Sequence, residues 1–67
     1  MQPFHPNQQV RVIDDKATPW RNGDIVHVRT CEMVKGFWYV TIREQKSDFQ
    51  WVATRFEAAV YLGEVLA

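Results

Sequence analysis

Few residues in this chain could carry chemistry. The soft metal ligands are His5, His27 and Cys31, separated by 22 and then 4 residues. Structural zinc sites draw four N or S ligands from closely spaced pairs, so neither a metal nor a cofactor is expected. His27 reads as a half-exposed strand residue, and Cys31 as a small apolar residue that is buried or half-buried. Asp14 and Asp15 are adjacent carboxylates in a turn-rich segment. Aspartates there accept hydrogen bonds from nearby backbone N–H groups, and that local role is the expectation. Gly23, Gly36 and Gly63 stand alone, so no glycine-rich loop cradles a phosphate. No Ser, His and Asp set marks a nucleophile, and catalysis is not expected.

The richer signal is aromatic: Phe, Trp and Tyr make up 13% of the 67 residues. Where they point depends on the strands that carry them. Gln9 to Asp14 alternates apolar and polar residues, which predicts a strand with Val10 and Val12 on one face. Residues 14–23 form a connection punctuated by Pro19 and by Asn22-Gly23, and ordered around Trp20. Asp24 to Thr30 predicts a second strand, with Val26 and Val28 on one face. Cys31 to Gly36 reads as a turn-bearing stretch. Phe37 to Arg43 is dense in β-formers and predicts the third strand. Glu44 to Asp48 is polar and reads as a hairpin loop. Phe49 to Ala53 predicts a fourth strand, Thr54 to Glu57 a single helical turn, and Ala58 to Val60 a short fifth strand.

Length and charge narrow the class. A chain of 67 residues makes one domain, divided here into a loose leader (1–8), a barrel (9–60) and an apolar tail (61–67). Eight basic and eight acidic residues give a formal net charge of +0, which argues against binding by general phosphate neutralisation. The apolar share of 46% argues against disorder. A single cysteine allows no internal disulfide, which fits a reducing compartment such as the cytoplasm. The first six residues show neither the basic nor the apolar region of a signal peptide. The run Ala58 to Leu62 is too short to span a bilayer, so no membrane association is expected. Short strands at close intervals without an amphipathic helix predict an all-β fold. At this length the compact solution is a five-stranded, partly open barrel. Its expected core is Val10, Val12, Val26, Val28, Trp38, Val40, Ile42, Val52 and Phe56.

Val10-Arg11-Val12, the long first loop, Asn22-Gly23-Asp24-Ile25-Val26, Gly36-Phe37-Trp38-Tyr39-Val40, and Trp51-Val52 followed by Phe56-Glu57 together resemble the SH3-like barrel over about residues 8–60. The resemblance implies strand order and the closing strand, 3₁₀ turn and strand. It is also similar to the stand-alone SH3-like proteins of bacteria, phages and plasmids, many of which act as adaptors or inhibitors.

With Val40 and Ile42 facing inward, alternation points Trp38 inward and Phe37, Tyr39 and Thr41 outward. With Val52 facing inward, Phe49 and Trp51 point outward on the adjacent strand. Phe37, Tyr39, Phe49 and Trp51 would then share one outer surface, of a size that a monomer seldom leaves bare. The apolar tail, another protein, a second copy, or a stacked base or small ligand could cover it. The leading expectation is a non-catalytic module that docks on another protein, or on itself, through Trp20, Phe37, Tyr39, Phe49 and Trp51. An alternative is nucleic-acid binding of the KOW or Tudor kind, with Arg11, Lys16, Arg21, Arg29, Lys35 and Arg43 along one side and bases stacked on the rings. A fainter resemblance is to the type II dihydrofolate reductase, which builds one site from four copies. It rests on Trp20, Gly23, Ile25-Val26 and Gly36. The enzyme's Val-Gln-Ile-Tyr corresponds to Phe49-Gln50-Trp51-Val52 here.

Overall fold

Alternating β-branched and polar side chains over Gln9–Val12 form strand β1, and the same pattern opens β2 at Ile25–Val34. The computed structural model describes residues 2–59. Strand β3 is Phe37–Ile42, β4 is Trp51–Val52, a 3₁₀ turn covers Ala53–Arg55, and β5 is Phe56–Ala58. All pairings are antiparallel, in the order β4-β3-β2-β1-β5. The fold is therefore all-β, as the strand spacing predicted, with five strands in one sheet and a single 3₁₀ turn before the last strand; turn and strand begin earlier than the expected Thr54 and Ala58.

Val10, Val12, Val26, Val28, Val40, Ile42 and Phe56 are all buried, as expected. The core also takes in Phe4, Cys31 and Ala53. Trp38 and Val52 were expected inside and are only half-buried. Phe4 reaches the core from residues 2–8, which the sequence reads as loose. Asn7 N–H donates to Val28 O at 2.6 Å, Val28 N–H to Gln8 O at 2.9 Å, and Gln2 Nε2 to Cys31 O at 3.0 Å. The proposed tail, 61–67, lies outside the described residues.

Strand β2 runs four residues past its expected end, because Lys35 and Gly36 make the turn alone. Their φ values are +51° and +89°, the left-handed pair that a two-residue hairpin requires. Within β2 the register shifts between Val28, opposite Ile42, and Thr30, opposite Thr41. This β-bulge puts Arg29 and Thr30 in succession outside, and returns Cys31 to the core opposite Val40. A strict period of two cannot anticipate that phase change.

The first loop is ordered, as Pro19 and Trp20 suggested. Asp24 N–H donates to Arg21 O across Asn22-Gly23, where Gly23 has φ +97°. Asp14 and Asp15 accept from the backbone N–H groups of Lys16 and Asn22, the local role expected of them, and Asp24 accepts from that of Arg21.

Candidate functional site

Strand β4 is only two residues long and ends the strand order. Its ladder places Val40 opposite Trp51 and Tyr39 opposite Val52. Paired residues share a face, so Trp51 lies on the side of the core residue Val40, and Val52 on the side of Tyr39. The expected orientation of β4 is thereby inverted. Flanking residues cannot set the phase of so short a strand; the ladder to β3 sets it.

Trp51 is nonetheless half-buried, because it sits at the border of the core. Trp20, from the first loop, meets it edge-on with ring centroids 5.6 Å apart and meets Phe56 at 6.3 Å. Phe49 meets it from the other direction at 4.7 Å. Such edge-to-face pairs contribute roughly 0.5–1.5 kcal/mol each beyond their buried area. The Trp51 indole N–H donates to Gln45 Oε1 at 2.8 Å.

Around these rings runs a groove of about 310 Å³. Tyr39, Phe49 and Trp51 supply its aromatic surface, Ala17 and Arg55 its border towards the first loop. Phe49 is 60% exposed. The Arg55 guanidinium lies 5.8 Å from the Trp51 ring centroid, within cation–π range. Arg55 Nη1 also donates to Asp14 O at 3.1 Å and Lys16 O at 2.6 Å, which fixes the first loop against the 3₁₀ turn. Ala17, in that loop, has φ +64°, a conformation that costs a non-glycine residue roughly 1–2 kcal/mol.

Phe37 does not join this groove. It is 62% exposed and lies with Pro3, Phe4, Trp38 and Phe56 on a second groove of about 400 Å³. Val52 borders both. The single aromatic surface expected from alternation is thus two surfaces, and Trp20, expected to take part, lines neither but meets Trp51 of one and Phe56 of the other.

The basic residues named for nucleic acid are spread over several segments. Arg11 is on β1, Lys16 and Arg21 in the first loop, Arg29 at the β2 bulge, Lys35 in the β2–β3 turn and Arg43 just beyond β3. Arg11 pairs with Glu57 at 2.6 Å, and Arg29 with Asp48 at 2.8 Å. Gln50, the residue shared with the reductase segment, donates its amide to the Glu32 carboxylate. Beside the bulge, Glu44 accepts the His27 backbone N–H at 2.9 Å, and its other oxygen lies 2.6 Å from His27 Nδ1. Burial raises the Glu44 pKa, but the backbone and ring hydrogen bonds of His27 outweigh it and leave the carboxyl below its ordinary range.

Among the described residues no group of three or more His, Cys, Asp or Glu could hold a metal ion, and no helix is long and apolar enough to cross a membrane. Sequence reasoning missed Arg55, Gln45 and Ala17. Arg55 stood in the predicted helical turn and was the one signal at hand, since a cation beside a tryptophan-bearing strand invites pairing. Gln45 and Ala17 carried no signal of their own. No protein-family model, curated protein or solved structure matches this chain.

Proposed function

We propose that the chain is a small, non-catalytic binding module of the SH3-like kind, which docks on another protein, or on a second copy of itself, as an adaptor or inhibitor. The observation that carries the reading is the exposed aromatic groove, where Phe49 stands largely in solvent beside Tyr39 and Trp51. Anchor residues of protein interfaces are enriched in Trp, Tyr and Arg, and Trp51, Tyr39 and Arg55 meet here. Protein docking is favoured over nucleic acid because Arg11 and Arg29 already pair with carboxylates, which weakens their use against phosphates. The test is capture by the immobilised parent and by Phe49→Ala, with sedimentation equilibrium for self-association. A partner or dimer lost in the variant supports the reading. Equal capture, or binding confined to oligonucleotides and steeply salt-dependent, contradicts it.

A further inference from the structure

Gln45 follows β3 in a turn closed by its own backbone N–H, which donates to Ile42 O at 3.2 Å. Its side chain then reaches across the loop. Oε1 accepts the Trp51 indole N–H at 2.8 Å, while Nε2 donates to Ser47 O and to Phe49 O, both at 2.7 Å. A glutamine amide has two N–H donors and one carbonyl oxygen, so all three functions are engaged. Two of the three bonds hold residues of the aromatic groove: one the Trp51 ring itself, one the Phe49 backbone. The same loop is fastened at either end by separate contacts, Glu44 to His27 and Asp48 to Arg29. Those two ties secure the loop to β2, but neither touches a groove ring.

We infer that Gln45 is the positioning residue of the aromatic groove, setting the Trp51 ring and the Phe49 backbone before any partner arrives. This rests on the docking reading for its use, though not for its geometry. It also defines the chemistry offered. The indole N–H is already committed to Gln45, so Trp51 presents ring surface and no donor. A partner seats an apolar or aromatic side chain against Phe49 and Trp51, and is recognised by shape and ring contact. Fixing the Trp51 ring and the Phe49 backbone in advance removes the ordering cost that a loose loop would add to binding.

The full chain, labelled with ¹⁵N, tests this through the exchange and chemical shift of the Trp51 indole N–H, assigned with Trp51→Phe. Gln45→Leu should speed that exchange by about tenfold or more, the scale of one lost hydrogen bond, and shift the indole resonance while β1 and β2 keep their spectrum. Gln45→Glu retains an oxygen for the indole and loses both donors. It should keep the Trp51 N–H protected and perturb Ser47 and Phe49, whose carbonyls lose their donor, and it decides the matter if the leucine variant fails to fold. Parent-like exchange and shift in Gln45→Leu, or a Gln45→Glu spectrum unchanged at Phe49, overturns the inference. For a partner that the parent captures and Phe49→Ala loses, Gln45→Leu should weaken affinity by about tenfold; undiminished affinity overturns the positioning role. If no partner separates parent from Phe49→Ala, the docking reading fails, and the indole measurement still decides what Gln45 does.

Discussion

Val52 borders two grooves. One, of about 400 Å³, runs past Phe4, Trp38, Phe56 and the exposed Phe37; the other, of about 310 Å³, runs past Tyr39, Phe49 and Trp51. The first is walled in part by core residues, since Phe4, Ala53 and Phe56 are buried. Among its lining residues only Thr54 and the indole N–H of Trp38 offer a polar side-chain group. The second holds a guanidinium, a carboxamide and a phenol among its rings. Binding sites combine apolar surface with a few fixed polar groups that give direction. Two similar depressions thus differ in kind: one is relief on the core, the other has the makings of a recognition surface.

The largest effect should abolish the comparison. Ile42 and Val40 are fully buried, and both grooves rest on the strand that carries them. Ile42→Ala should cost roughly 2–5 kcal/mol in denaturant unfolding, a large part of the stability of so short a chain. An unchanged midpoint would refute the assigned core. Trp20→Ala should act mainly on the groove of Tyr39, Phe49 and Trp51, since Trp20 meets Trp51 there and meets only Phe56 of the other lining. Trp20 is half-buried, so a loss of about 2–3 kcal/mol is expected, somewhat below the range for a fully buried tryptophan. Resonances of Trp51 and Phe49 should move while Phe37 stays. A perturbation centred on Phe37 would show that the grooves are not separate.

Phe49→Ala and Phe37→Ala sharpen the contrast. Both rings are exposed to a similar degree, but Phe37→Ala should keep stability within about 0.5 kcal/mol of the parent, while Phe49→Ala also loses the edge-to-face pair with Trp51 and should cost roughly 0.5–1.5 kcal/mol. Partner affinity should fall by about 2 kcal/mol or more in Phe49→Ala, as for an interface anchor, and stay level in Phe37→Ala. Isothermal titration with a captured partner measures both, and the reverse ranking would move the site to the other groove.

Much of this fold was legible because periodicity and turn chemistry agreed. Val10, Val12, Val26 and Val28 alternate without interruption, and Lys35-Gly36 marks the hairpin. The failures have local causes. The bulge at Arg29 shifts the phase of β2, so Cys31 is buried, as its residue type suggested, but within a longer strand whose alternation from Val28 would have put Thr30 inside. A two-residue strand has no period to read, so the face of Trp51 follows from its pairing with Val40. Phe4 is held by contacts between distant segments that no local pattern records. The aromatic residues of the site were visible as residue types, but their division into two grooves depended on that misread phase. Gln45 lay in a loop recognised only as polar.

The smallest expected effect concerns pH. The folded-state pKa of Glu44 is depressed, so its contribution to stability is complete above the ordinary glutamate value, about 4.3, and is lost as pH falls through the lowered folded value. Glu44→Gln should remove that part of the acid dependence and bring the unfolding curves at pH 3 and pH 6 closer together. An unaltered pH dependence would show that the His27–Glu44 tie contributes nothing measurable.

The most direct measurement of the central claim is hydroxyl-radical footprinting of the aromatic side chains, free and with a captured partner, or across a concentration series if the chain associates with itself. The account predicts that Tyr39 and Phe49 become protected on binding while Phe37 keeps its free-state reactivity. Protection of Phe37 with Tyr39 and Phe49 unchanged would contradict it.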